Sequence, residues 1–259
     1  MYRGPILFPL VLIVLGVLLL AGNLGYIQFD FWQFITTWWP LLLIIGGLDI
    51  LIGSLRARNV KARTLALDLG SAAQADVTIN FGAGDLTIGK ATPGRIVDGT
   101  FEGEVRYDAR PDGRVWLKLE PLNWWGWSPR GYRWNVGLTE AVPLKLTLDG
   151  GAANTNADLT DLKVSDLRVK TGASSTTIRL PRAAGMTTVR INAGAASVKL
   201  FVPEGVAARV HSSMAIGSND INRQRFPLSG GDYVSPDYAA ALNKIDIQFE
   251  GGVGSLAVM

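Results

Sequence analysis

The chain has 259 residues, no cysteine and a formal charge of +3. The absence of cysteine excludes disulfides, thiolate metal sites and cysteine nucleophiles, while leaving the compartment open. The positive excess lies in residues 1–63, where Arg3, Arg56, Arg58, Lys61 and Arg63 face only Asp30 and Asp49; the remainder balances 20 basic against 20 acidic side chains, so no nucleic acid partner is expected.

No charged side chain occurs from Gly4 to Phe29, and a second apolar run from Phe31 to Leu55 is broken only by Asp49. A helix rises about 1.5 Å per residue, so roughly 20 residues cross the ~30 Å of hydrocarbon, and each run suffices. Residues 1–55 are therefore predicted to form a transmembrane α-hairpin. The first run exceeds the apolar core of a typical signal peptide, no small-x-small cleavage site stands out near Leu20–Asn23, and a second span follows, so a retained anchor is expected. Arg3 precedes the first run, Arg56, Arg58, Lys61 and Arg63 follow the second, and the connection Gly22–Thr37 holds no basic residue. This pattern predicts a multi-pass protein of the cell membrane with both ends cytoplasmic. Phe29, Phe31, Trp32, Phe34, Trp38 and Trp39 then crowd the outer interface, and Pro40 suits the first turn of the second helix. Asp49 reads either as an intramembrane acid engaged by a partner helix, or as an acid near the inner interface reaching water or Arg56, about two helical turns away.

The runs PILFPLVLIVLGVLLLAGNLGYI and TTWWPLLLIIGGLDILIGSLR resemble the two-helix membrane module of LiaI/LiaF-like bacterial envelope-stress proteins. The motifs that carry the likeness are LGVLLLAGNLG, closing the first helix, and WWPLLLIIGGLDIL, opening the second.

Residues 56–63 form a short basic juxtamembrane linker. From Thr64 the pattern changes to alternation: Val77, Ile79 and Phe81 are apolar while Asp76, Thr78 and Asn80 are polar, the signature of a half-buried strand. A short turn around Tyr238–Leu242 is the one stretch with any helical character. An internal repeat begins at Gly151-Ala152-Ala153-Asn154, recurs at Gly172-Ala173-Ser174-Ser175 and again at Gly194-Ala195-Ala196-Ser197, with spacings of 21 and 22 residues. Gly82–Ile88 and Gly252–Val258 are further copies, and Ser213–Ile221 is a degenerate one. A period near 20 residues with small-residue corners predicts stacked β coils, each burying its Leu/Val/Ile face only between neighbours. Residues 64–259 are thus expected to form an all-β domain, a β-helix-like solenoid of about 20-residue coils. Three stretches break the period. Glu102–Glu120 reads as a hairpin turning at Pro111-Asp112-Gly113. Leu122–Val136 is aromatic, and Asn222–Lys244 reads as a surface insertion.

The segments ADVTINFGAGDLTI, GAANTNADLTDLKVSDLRVKTGASSTTIRLP and FEGGVGSLAV resemble the C-terminal domain of LiaF-like cell-wall-antibiotic response proteins, part of the wider bacterial toastrack group of β-repeat domains. The likeness spans nearly all of residues 64–259 and brings no catalytic motif. It implies a non-enzymatic bacterial regulatory or sensor protein, acting by contact with a sensor histidine kinase or another envelope-stress membrane protein. An alternative is a membrane-bound scaffold whose solenoid ends stack between chains into homo-oligomers, either dimers or filaments.

The search for chemistry returns little. His211 is the only histidine, lacks companion ligands for a metal, and meets no nucleophile-elbow sequence. Gly82-Ala83-Gly84-Asp85-Leu86 has the flavour of a calcium-binding β-helix repeat, but no other copy carries the Asp, and no Gly-Lys-Ser/Thr follows to make a phosphate loop. Asp158 and Asp161 lie in a repeat corner where nothing marks them as a glycosidase pair. No catalytic residue, cofactor or metal is expected. The most informative irregular stretch holds Trp124, Trp125, Trp127, Tyr132 and Trp134 with Arg130 and Arg133 interleaved. Its readings are a protein contact surface, a lipid-headgroup contact, or a cover for an open solenoid end.

Overall fold

The computed structural model describes residues 62–120 and 131–259, together with Leu20, Trp39, Pro40, Leu41, Ile44, Gly47 and Leu48. The chain divides into two units, Met1–Leu55 and Arg56–Met259. In the first, the seven described residues are helical and exposed. No helix among the described residues is long and apolar enough to cross a membrane. The expected hairpin, its flanking Arg3, Arg56, Arg58 and Lys61, and Asp49 lie outside the described residues.

In the second unit, the described strands are β1 (Ala62–Asp68), β2 (Ala75–Lys90), β3 (Arg95–Glu102), β4 (Glu104–Ala109), β5 (Arg114–Glu120), β6 (Tyr132–Leu138), β7 (Leu144–Asp158), β8 (Val164–Arg179), β9 (Met186–Phe201), β10 (Ala207–Ile221), β11 (Leu228–Ser229), β12 (Asp232–Val234) and β13 (Lys244–Val258). The first strand thus takes in the last two residues of the expected linker. Arg63 is part of it, exposed and opposite Phe101 on β3.

Six strands of 15 or 16 residues, β2, β7, β8, β9, β13 and β10, are parallel neighbours in that order. Each is one coil. In β8 the inward positions are Val164, Leu167 and Val169, then Thr176 and Ile178, with a more exposed stretch between. Both halves feed one hydrophobic cluster. The chain must therefore fold at the middle of each long strand, and β10 shows this directly. Residues seven apart on a straight strand would be ~23 Å apart, yet the Ser212 hydroxyl lies 3.2 Å from Asn219 Oδ1.

Small residues occupy that corner because the coils touch there. A Cβ on Gly151 would lie 2.6 Å from the carbonyl oxygen of Gly82; Gly172, Gly194 and Gly252 stand to their neighbours Gly151, Gly172 and Gly194 at 2.9, 3.0 and 2.9 Å. After the second half-strand, apolar connections return the chain and close the core with Leu159, Leu162, Leu180, Val202 and Val206, all buried. The recurring step read from the sequence is this unit. The β-solenoid expectation agrees with the fold, with one addition: the stack does not follow chain order. β13 lies between β9 and β10, paired in parallel with both.

The two ends of the stack differ. At the first, β2 has β7 on one side, while its other edge is shared by β5 along Asp76–Asn80 and β6 along Gly84–Lys90. Antiparallel β4 continues from β5, and β3 then β1 from β6. The hairpin expected at Glu102–Glu120 is β4–β5. Gly113 in its turn has φ 86°, and a Cβ there would meet the Gln74 carbonyl at 2.1 Å, so this turn requires glycine. At the other end, β12 pairs with β10 only at Arg209 and Val210. The Asn222–Lys244 insertion contains the small β11–β12 hairpin and the expected turn, where Tyr238 N–H donates to the Ser235 carbonyl at 3.0 Å. It is not wholly superficial, since Phe226 is fully buried.

Candidate interaction surfaces

The aromatic stretch was the leading candidate, and the structure divides it. Trp124, Trp125, Trp127 and Arg130 lie outside the described residues. Tyr132 and Trp134 are corrected from surface to core. Trp134 is fully buried between Phe81 on β2 and Phe101 on β3, with ring centroids at 5.2 and 5.0 Å, and its indole N–H donates to the Glu102 carbonyl at 3.0 Å. Tyr132, Trp134, Val136 and Leu138 are the inward positions of β6. Of the pair Arg133 and Trp134, only Arg133 faces out, its backbone N–H donating to Glu102 Oε2 at 2.9 Å. The aromatic rings here close the first end of the stack by filling it.

The outer faces of the half-strands carry rows set by the parallel register. One row runs Arg114, Asp76, Lys145, Asp166 across β5, β2, β7 and β8. Within it, Asp166 accepts from Arg168 at 2.9 Å and Arg190 at 3.3 Å. Alternating signs across neighbouring strands stabilise by a few tenths of a kcal/mol per pair and leave no field of one sign. A second row, on the outer face beyond the corner, is small and polar: Asp85, Asn154, Ser175, Ser197, Ser255 and Ser218. Asn154 donates to Asp85 at 3.1 Å, and Ser255 to Ser197 at 3.0 Å.

The β10 end concentrates the remaining polar chemistry. Asp246 is almost buried and takes the Arg209 guanidinium through two hydrogen bonds. The hydrogen bond and charge of Asp246 raise the Arg209 pKa further. Arg209 also lies over the Tyr238 ring at 5.3 Å; burial, then the Asp246 charge, pushes the Tyr238 hydroxyl above its ordinary value. Ser235 Oγ accepts from the Ala208 N–H at 2.8 Å. His211 is exposed and pairs through Nδ1 with Asp232 on β12 at 2.8 Å. Its neighbour Ser212 is engaged with Asn219 rather than with the imidazole, so no nucleophile, base and acid converge here. Among the described residues no three His, Cys, Asp or Glu side chains cluster to hold a metal ion.

Sequence reasoning missed this end. Its signal was the polar replacement in and just before the degenerate copy: Ser212 stands in register with Phe249, and Asn219 with Leu256, where the other coils are mostly apolar. The Arg209–Asp246 pair left no sequence signal, because it depends on which strand lies beside β10.

Residues 56–201 match the family model described as the N-terminal domain of toast_rack, DUF2154, and residues 6–51 match the LiaI-LiaF-like transmembrane region. No curated protein matches the sequence. Among solved structures, a proposed cell adhesion protein from Clostridium sporogenes superposes with a TM-score of 0.69 at 21% identity, covering 76% of this chain and 98% of that one. A proposed adhesin from Bacteroides fragilis covers 77% of this chain and 97% of its own, at 10% identity and a TM-score of 0.34. The first likeness is one of fold.

Proposed function

The chain belongs to the toast-rack family, and from that membership we propose that it is a membrane-anchored, non-enzymatic regulatory protein of the bacterial cell-envelope stress response. It acts by protein–protein contact. One observation carries the reading: a LiaI-LiaF-like transmembrane match over residues 6–51 is followed at once by the toast-rack match from residue 56. A β stack tethered this closely to a bilayer is placed to touch other membrane proteins. A sensor histidine kinase is the partner of choice by analogy with LiaF-like proteins.

The anchor is a two-span hairpin in the plasma membrane, with the β domain on the cytoplasmic side, as the basic flanks Arg3, Arg56, Arg58, Lys61 and Arg63 favour. The absence of native cysteine makes this directly measurable. Cysteine at Gln33 is expected to react with an impermeant thiol reagent in intact cells. Cysteine at Leu242, which is 90% exposed, is expected to react only after permeabilisation. Labelling of Leu242→Cys in intact cells would reverse the topology.

The regulatory reading is tested by a transcriptional reporter of cell-wall-antibiotic stress in the native host, with and without the gene. A changed threshold or amplitude is expected, restored by the full chain but not by a chain lacking residues 1–55. An identical response in all strains would sink the proposal.

A further inference from the structure

The outer edge of β10 is the strongest feature that this reading leaves unused. On one side β10 pairs with β13 from Ala207–Lys244 to Ile221–Val258. On the other, among the described residues, only Arg209 and Val210 have a strand partner. Beyond them, Ser213–Asp220 presents outward backbone N–H and C=O groups, which are a template for a further strand.

Natural edges are shielded by charge or proline, and β4 shows the first device with exposed Glu104, Arg106 and Asp108. The β10 edge shows neither: Ser213–Asp220 contains no proline, no lysine and a single charge, Asp220. Beside it, Ile216 is 68% exposed and its register partner Val253 is 53% exposed.

The occupant follows from the chemistry inside and around this coil. Ser212 and Asn219, standing in register with the buried Phe249 and Leu256 of β13, meet in an exposed polar contact, so a further apolar coil finds little to pack on. A strand held through main-chain hydrogen bonds is accommodated. We propose that this strand is β10 of a second copy, paired antiparallel about a two-fold axis near Ile216–Gly217. In that register, Asp220 of each copy lies opposite Ser212 or Ser213 of the other, so the two acids stay apart, and the two Ile216 side chains come together across the axis. The pairing closes. Continuation into a filament would need a free coil edge at the other end of the stack, and there β5 and β6 already occupy β2. Of the dimer and the filament that stacked solenoid ends allow, this edge selects the dimer.

The test uses the full chain in mild detergent. Paired residues on antiparallel strands lie about 4.5–5.5 Å apart, within disulfide reach. Ile216→Cys is expected to give a disulfide-linked dimer on oxidation, whereas Leu242→Cys, exposed but off the edge, stays monomeric. Ser218→Lys, which places a charge on an already exposed edge position, is expected to halve the protein mass measured by light scattering without lowering the melting temperature. Three results would each overturn the inference: monomeric mass in the parent protein at high concentration, equal cross-linking at Ile216→Cys and Leu242→Cys, or a ladder extending beyond the dimer. The regulatory reading is untouched by such a failure, since the stress reporter measures it separately.

Discussion

Trp134 shows how a single side chain decides between surface and core. Wedged against Phe81 and Phe101 with its N–H satisfied, it is expected to make Trp134→Ala destabilising by about 3–5 kcal/mol. Chemical denaturation followed by circular dichroism measures this, and a loss below about 1 kcal/mol would contradict its burial. Its place was legible: Tyr132, Trp134, Val136 and Leu138 alternate with Arg133, Asn135 and Gly137. Arginines interleaved with aromatics read equally well as a contact surface, and only the neighbours β2 and β3 separate the two. Asp158 illustrates a different control. Its Oδ1 accepts the Thr160 hydroxyl at 2.6 Å and the Thr160 backbone N–H at 3.1 Å, and chiefly the hydroxyl bond holds its pKa below the ordinary carboxylate value. A depressed folded-state pKa stabilises above the unfolded value and stops doing so as pH falls through the folded one. Asp158→Ala is therefore expected to lower the melting temperature at neutral pH, with the difference fading as pH falls below about 4, the ordinary carboxylate value. A difference that persists undiminished in acid would show that the carboxylate charge is not the cause.

At the scale of the coil, the corner sets the tolerance for side chains. Gly151 approaches the Gly82 carbonyl so closely that Gly151→Ala must push two coils apart, whereas a Cβ on Gly82 meets nothing within 4 Å. The first substitution is expected to cost about 1–3 kcal/mol by overpacking. The second should be neutral or slightly stabilising through reduced chain entropy in the unfolded state. Parallel melts of the two variants check this, and equal effects would refute the close-approach account. The corners, their spacing and the inward alternation were readable because each is local: small residues recur at the touch points, and apolar residues at every second position beside them. The hairpin expected at Glu102–Glu120 was readable from its turn chemistry, with Gly113 at its required place. Coil adjacency was not readable, since Ile247 fits beside Val189 as well as beside Val210, and both contacts are made.

For the whole molecule, the out-of-order coil has the largest effect. β13 contributes Ile245, Ile247, Phe249, Leu256 and Val258 to the core between β9 and β10. Phe249→Asp is expected to expose β10 and the β11–β12 hairpin together while sparing β2, β7 and β8. Amide hydrogen exchange resolved along the chain measures this, and loss of protection confined to β13 would argue against cooperative dependence. As the ribosome extrudes this chain, coils β2 through β9 can settle in turn, but β10 emerges before the neighbour it needs. It must wait through more than twenty further residues, solvated or held by a chaperone, until the keystone slides in. Nascent chains halted anywhere in that interval carry an unmated strand that proteases and other unfinished copies can seize, so synthesis rate across residues 222–258 becomes a determinant of yield.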